Sequence, residues 1–429
     1  MTLLLLLAGL VLVILTGLPV FAALGLFGGT LMVVDEGSLA GLGEIVFGKL
    51  NIYLLVAIPL FTLMAHFMIR GRIVDDLYGT AHTLLRHLPG GLGVATVAAC
   101  TIFAAISGSS VATALTIGAV AIPQMIRYGY SRPAAYGVVG GGGTLGILIP
   151  PSGPMVLFAV VADASIGQLF MAGVVPGLLL ATCFALHCMA AQRFAGAKAV
   201  RREPRASLME MLTALRRSFW ALTLPVFVLG GMYLGVFTAT EAAGAGALAA
   251  LLIAMLVYRT LGPLDIWRSA MDAARTSAML FMILAAAAVF SHVLTKMRIP
   301  QEIVTLVTSH DLGQIEFLIA VMGLIFVLGM FLETISIILI TTPIVLPVLA
   351  ALGIDPIWYG VLLMVNLELA LITPPVGMNL FTIKAITKGP IEPIIRGVLP
   401  YAAILLAGLA LLLMFPGIAL WLPSTMMGR

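Results

Sequence analysis

Four short stretches of this sequence set polar or chain-breaking residues inside long apolar runs, and the chemistry they offer is that of oxygen. Ser107-Gly108-Ser109-Ser110 interrupts one apolar stretch and Glu333-Thr334 another. Two proline pairs, Pro150-Pro151 and Pro374-Pro375, fall in the segments 146–152 and 373–379. Consecutive prolines remove two amide donors and cannot continue a helix, so the carbonyls before them lose their partners. Orphan carbonyls are costly in an apolar medium, and a hard cation such as sodium would satisfy them, with hydroxyls from a facing turn completing its shell. A helix that restarts after a break turns its amides toward an anion. Taken singly, each motif also has a plainer reading: Pro-Pro as a kink, and the serine turn as a patch for close helix packing.

Glu333 is the sharpest single residue. An ionisable group in an apolar segment marks a functional position by default. It could bind a hydroxyl or amine of a ligand, or help hold a cation; the alternative is a tip that reaches interfacial water. Glu241 reads differently, because Thr238 lies three residues before it ahead of an apolar run, which fits a capping box. Asp163 is expected to end a helix near water, and Lys384 is assigned no role. The six histidines are scattered, most near expected helix ends, and read as interfacial. Cys100, Cys183 and Cys188 have no metal-ligand spacing and read as small hydrophobes.

The elements that must position these residues are membrane helices. Of 429 residues, 62% are hydrophobic and 9% charged, against about 25% charged in soluble domains. A polar surface cannot be built from this chain, and its solvent is the lipid bilayer. The formal charge is +4, but the basic residues collect in loops and form no nucleic-acid patch. Arg193, Lys198, Arg201, Arg202, Arg205, Arg216 and Arg217 share one polar connection, which the positive-inside rule places in the cytoplasm. The run 3–15 has no basic residue before it and reads as a retained helix, not a cleaved signal. Spans of the ~20 apolar residues a bilayer requires are expected near 3–33 (one helix or two), 51–69, 132–149, 166–192, 218–235, 238–258, 276–295, 357–372 and 397–422. Amphipathic connectors are expected at 72–88, 198–217, 262–275 and 299–311.

Two regions resist the spanning description. Residues 90–127 and 314–350 each hold two apolar arms around a polar tip, which predicts re-entrant hairpins. A gapless internal repeat relates them. Adding 224 takes Pro123 to Pro347, Pro150-Pro151 to Pro374-Pro375, Gly173 to Gly397 and Pro176 to Pro400. The same step takes tip Ser109-Ser110 onto tip Glu333-Thr334. Paired repeats with interrupted segments mark secondary transporters. The chain divides accordingly into N-terminal helices (1–50), repeat 1 (51–195), a cytoplasmic connector with linking helices (196–274) and repeat 2 (275–429). Inversion of the two copies is an expectation that the charge pattern alone does not decide.

Four motifs, in order, carry a resemblance over essentially the whole chain: Ser107 to Thr113 (SGSSVAT), Gly143 to Ser152 (GTLGILIPPS), Gly235 to Ala243 (GVFTATEAA) and Ile372 to Asn379 (ITPPVGMN). They resemble the large membrane subunit of tripartite ATP-independent periplasmic (TRAP) transporters, the DctM type. The resemblance implies an all-α polytopic fold of the ion-transporter superfamily, with two inverted repeats and a transport domain that moves as an elevator. It also implies partners: a separate small membrane subunit of the DctQ type and a periplasmic binding protein of the DctP type. The binding protein would deliver an organic acid, such as a C4-dicarboxylate or sialic acid, across the bacterial inner membrane at the expense of a sodium gradient.

Carried over by motif, a first sodium site would involve Ser107, Ser109, Gly146, Ile149 and Pro151. A second would involve Gly329, Thr373, Gly377 and Met378. The acid would sit between the tips, near Ser109, Ser110, Ser152, Glu333, Thr334 and Asn379. Rival readings are a stand-alone sodium–carboxylate symporter, a passive channel and an intramembrane enzyme. The enzyme reading finds no His-Glu-x-x-His pair, no activated serine motif and no paired aspartates in facing spans.

Overall fold

In the computed structural model the chain is helical throughout the described residues, 2–73, 75–194 and 203–425, with no strand among them. Lys198, Arg201 and Arg202 of the basic connection lie outside that range. Among the described residues eight helices are long and apolar enough to cross a membrane, or nine if the bent pair within 208–233 forms one span.

The N-terminal run resolves as two helices, α1 (Thr2–Leu15) and α2 (Val20–Glu36), followed by a short α3 (Leu42–Leu50). Next come α4 (Ala57–Arg70) and the amphipathic α5 (Asp75–Leu85), and then a hairpin of α6 (Gly91–Ser107) and α7 (Ser110–Arg127). The first Pro-Pro segment breaks one span into α8 (Arg132–Gly143), α9 (Leu145–Leu148) and α10 (Gly153–Ala162), and α11 (Ile166–Arg193) returns. Asp163 ends α10 in a left-handed conformation, φ 52°. The linking helices are α12 (Leu208–Arg217), α13 (Phe219–Tyr233), α14 (Ala239–Leu252) and α15 (Pro263–Lys296). Repeat 2 supplies α16 (Ile299–Ser309), the hairpin α17 (Gln314–Gly329) and α18 (Thr334–Leu352), α19 (Pro356–Leu371), α20 (Met378–Thr387), α21 (Glu392–Met414) and α22 (Gly417–Thr425).

Three sequence expectations change here. The connector at 262–275 is the first part of α15, a single helix of 34 residues. Nothing between Leu264 and Lys296 is glycine or proline, and Asp265 caps the start by accepting from the Gly262 amide at 3.2 Å. At 1.5 Å per residue α15 is about 51 Å long, so its ends stand clear of a ~30 Å hydrocarbon layer. The span at 132–149 extends beyond its break to Ala162. The run 397–422 is divided at Phe415-Pro416 into α21 and α22. The capping box is present: Thr238 and Glu241 exchange side-chain bonds with each other's backbone amides at 2.8 and 3.3 Å.

The repeat shows directly in the helix starts. Asp75, Ser110 and Arg132 begin α5, α7 and α8, and adding 224 to each gives Ile299, Thr334 and Pro356, the first residues of α16, α18 and α19. Both hairpins close at their bases. The Gly93 amide donates to Tyr130 Oη at 3.4 Å, and Gln314 Nε2 donates to the Leu352 carbonyl at 2.9 Å. The return arms, 18 and 19 residues, are long enough to count as candidate spans, so arm length does not by itself mark the hairpins as re-entrant.

Between the two hairpins the chain crosses five times, along α8–α10, α11, α13, α14 and α15. Five is odd, so the hairpin bases lie at opposite ends and the repeats are inverted. Contacts at each end agree with this count. At one end Arg86 meets Glu210 at 3.1 Å and Tyr258 Oη donates to the Arg217 carbonyl at 2.8 Å. At the other, His292 meets Glu36 at 2.9 Å and Tyr233 meets Thr425 at 3.2 Å. The first end carries Arg70, Arg86, Arg193, Arg216, Arg217 and Arg259; the second carries Lys49, Lys296 and Arg298.

Helices α2, α3 and α4 pack along α15, and α14 packs on α4. The hairpins and broken helices form the other body with α11, α19 and α21. Within it, α8 and α21 touch through backbone. A Cβ on Gly137 would lie 2.0 Å from the Gly397 carbonyl oxygen, and one on Gly397 would lie 2.0 Å from that of Pro133. Small residues permit such approach between membrane helices, and here the contact joins one repeat to the other.

Candidate functional site

The two hairpin tips meet the two breaks beside one cavity of about 370 Å³. One wall is tip 1 (residues 106–112), the edge of the first break at Ile147 and Pro151, tip 2 (residues 333–335) and Met378. The facing wall belongs to α4 and α15, which contribute Thr62, His66 and Thr276.

Tip 1 forms because Gly108 takes a left-handed turn, φ 58°, which ends α6 and lets Ser109 start α7. The Ser109 hydroxyl caps α7 by accepting from the Ala112 amide at 3.3 Å. Ser107 Oγ lies 3.0 Å from Thr113 Oγ1, and Thr113 Oγ1 donates to the Ser109 carbonyl at 2.8 Å. The tip presses on the first break through backbone alone: a Cβ on Gly108 would lie 2.4 Å from the Pro151 carbonyl oxygen, and one on Gly146 would lie 2.5 Å from that of Ser109. Ser107, Ser109, Gly146 and Pro151 are thereby brought together, and Ile149 is buried in the break between the last two. The Pro150–Pro151 bond is cis, as is Pro374–Pro375.

The second pair repeats the arrangement. Glu333 is the N-cap residue of α18 and its Oε2 accepts from Ser336 Oγ at 3.4 Å. The Val376 amide, next to the second proline pair, donates to the Met330 carbonyl at the end of α17 at 3.2 Å. A Cβ on Gly329 would lie 2.6 Å from the Ala370 Cβ, and one on Gly377 would lie 3.0 Å from the Thr373 carbonyl oxygen. Gly329, Thr373, Gly377 and Met378 therefore share the region behind tip 2. Among the described residues no group of three or more His, Cys, Asp or Glu is arranged to hold a metal ion. The donors at both breaks are carbonyls and hydroxyls, a set that suits a hard cation.

For an anion the cavity offers the N-termini of α7 and α18, whose amides carry partial positive charge. Among the described residues no lysine or arginine lines it, and Glu333 and His66 are the titratable residues on its walls. Two residues expected near the ligand adjoin the cavity without lining it. Ser152 is buried and caps α10, accepting from the Met155 amide at 3.5 Å. Asn379 is fully buried, with neither amide atom hydrogen-bonded. Ser110 adjoins the cavity, but its hydroxyl is turned away and donates to Glu368 Oε1.

Sequence reading missed three residues here. His66, grouped with the interfacial histidines, sits within α4 on the cavity wall. Thr113 is buried under tip 1. Glu368, 1% exposed in the last turn of α19, obeys the same rule that singled out Glu333: an ionisable group in an apolar run. Applying that rule along all of 357–372 finds it.

Comparison with known proteins agrees with this architecture. Residues 7–418 match the family described as tripartite ATP-independent periplasmic transporter, DctM component. The chain is 41% identical to the C4-dicarboxylate TRAP transporter large permease protein DctM of Pseudomonas aeruginosa, over 94% of each chain. It is 36% identical to the isethionate TRAP transporter permease protein DctMQ of Oleidesulfovibrio alaskensis, over 94% of this chain and 64% of that one. In fold it resembles the YdaH transporter of Alcanivorax borkumensis, with a TM-score of 0.70, 14% identity and coverage of 92% of this chain and 97% of the other.

Proposed function

The chain belongs to the DctM-component family of tripartite ATP-independent periplasmic transporters, and from that premise we propose that it imports an organic acid across the bacterial inner membrane in symport with sodium. As a large TRAP permease it is a transporter, not an enzyme. The acid is a C4-dicarboxylate or a related carboxylate, the cargo named for the relative in Pseudomonas aeruginosa. At least two sodium ions bind at the two breaks, the first among Ser107, Ser109, Gly146, Ile149 and Pro151, the second among Gly329, Thr373, Gly377 and Met378.

One observation carries the reading: two tip–break pairs of inverted topology flank a single cavity. Each pair offers oxygen at the break and a helix N-terminus at the tip, so cation and acid can bind side by side and offset each other's charge. The end rich in arginine faces the cytoplasm, which puts the base of hairpin 1 inside and that of hairpin 2 outside. The hairpin body slides against α2, α4, α14 and α15, exposing the cavity to each side in turn. A small membrane subunit of the DctQ type packs with the α15 body. The family name and the DctMQ-type relative support it. A periplasmic binding protein of the DctP type delivers the acid.

The test is uptake of a labelled C4-dicarboxylate into liposomes holding this chain and its small subunit, with the binding protein outside. An inward sodium gradient should drive accumulation, and an equal potassium gradient should not. Flux indifferent to sodium would sink the symport reading, and full uptake by this chain alone would replace it with a stand-alone symporter.

A further inference from the structure

Helix α19 is buried along its length, from Ile357 to Leu371, yet it carries two polar side chains that reach out to the hairpins. Asn366 Nδ2 donates to the Met322 carbonyl of α17 at 2.8 Å. Glu368 reaches the other repeat. Its Oε1 accepts from Ser110 Oγ and from the Ile147 amide, the latter at 3.0 Å. Its Oε2 is buried without a hydrogen-bond partner.

A buried carboxyl with one oxygen unpartnered is a poor way to stabilise a fold. Such groups can often be replaced by apolar residues of similar volume at little cost, so Glu368 calls for another explanation. Its two donors supply one. Ser110 directly follows Ser109, and Ile147 directly follows Gly146. Ser109 and Gly146 are the residues whose backbones meet where tip 1 touches the first break. One oxygen atom from repeat 2 thus holds both walls of the repeat-1 contact.

We propose that Glu368 is a positioning residue for the first ion site: it fixes the separation of Ser109 and Gly146, and through them the spacing of the oxygens that bind the cation. It touches neither ion nor acid. The inference rests on the sodium reading given above.

The test is the sodium concentration that gives half of the sodium-specific rise in thermal stability, measured on the purified full-length protein with its small subunit and with choline as the balancing cation. Glu368→Gln keeps a carbonyl oxygen able to accept both bonds, and should stay within about threefold of wild type. Glu368→Leu loses both bonds and should raise the midpoint about tenfold or more, beyond the lower melting temperature in choline that two orphaned buried donors cause. Ser110→Ala removes one bond and should shift the midpoint part of the way, and adding it to Glu368→Leu should produce no further shift. If Glu368→Leu does not fold, Ser110→Ala carries the test alone, and an unchanged midpoint there overturns the proposal. So does a Glu368→Leu protein that melts lower in both salts with its midpoint unmoved, because that is a packing residue. A wild-type protein with no sodium-specific rise overturns the sodium reading and this inference with it; a wild-type rise that Glu368→Leu leaves intact overturns the inference alone.

Discussion

Replacing Gly146 with alanine places a methyl carbon where the Ser109 carbon and oxygen would lie 2.5 Å away and the Ser110 nitrogen 2.6 Å away. Ordinary contact begins near 3.4 Å, so the shortfall is 3.4 − 2.5 = 0.9 Å. All three neighbours are backbone atoms, and no side chain can rotate to relieve the clash. Tip 1 must therefore lift from the break. Overpacking of this kind costs about 1–3 kcal/mol, and if ~2 kcal/mol falls on the seated tip that binds the ion, the apparent affinity drops about 30-fold. Gly323→Ala is the matched control: it lies inside α17 with nothing within 4 Å of its added carbon, and alanine should stabilise that helix by up to ~1 kcal/mol. The assay is thermal stability across a sodium titration balanced with choline. Gly146→Ala should move the sodium midpoint by more than an order of magnitude while Gly323→Ala leaves it in place. Midpoints within twofold of wild type for both proteins would refute the claim that contact between tip and break forms the ion site.

Other substitutions test separate parts of the reasoning. Ser107→Ala and Thr373→Val each remove one hydroxyl from one tip–break pair and should weaken the sodium dependence of uptake, with the acid's own affinity at saturating sodium less affected; equal sodium curves for both variants and wild type would clear the two residues. Glu333→Gln should slow uptake of the acid several-fold or more and leave the sodium-induced thermal rise largely intact, and normal uptake would remove Glu333 from the ligand's surroundings. Gly137→Ala drives a carbon to 2.0 Å from the Gly397 carbonyl oxygen and should lower stability by about 3 kcal/mol or prevent folding, read as loss of monodisperse protein in detergent. Thr238→Ala removes the cap of α14 and should cost about 1 kcal/mol, visible as a lower melting temperature in sodium and choline alike.

What the sequence made legible follows from the kind of signal each feature leaves. Proline and glycine dictate backbone shape, so the 224-residue step and the Ser109, Pro151 and Gly377 turns could be read directly, and the hairpin limits fell within two residues of the observed helices. Inversion was beyond that reach, because it depends on the parity of crossings, and the break between connector and span at 275–276 was placed where α15 runs on without interruption. Gly146 and Pro151 press on tip 1 through backbone, while the side chains of Ser152 and Asn379 are buried and Ser110 bonds across the repeats. Side-chain direction depends on which helix arrives opposite, and for Ser110 that helix is α19, 258 residues away along the chain.

The joint at Gly137 and Gly397 has a kinetic meaning beyond its packing. Backbone lies directly against backbone there, and no rotamer is available to take up play between the repeats. In the transport cycle proposed above, a displacement that carries the first break would carry the second with it. A slipped half-cycle, with one ion delivered and the other left behind, would first have to pry this seam apart. Tight coupling in such a machine would then owe as much to two absent side chains, far from any ligand, as to the oxygens that hold the cargo.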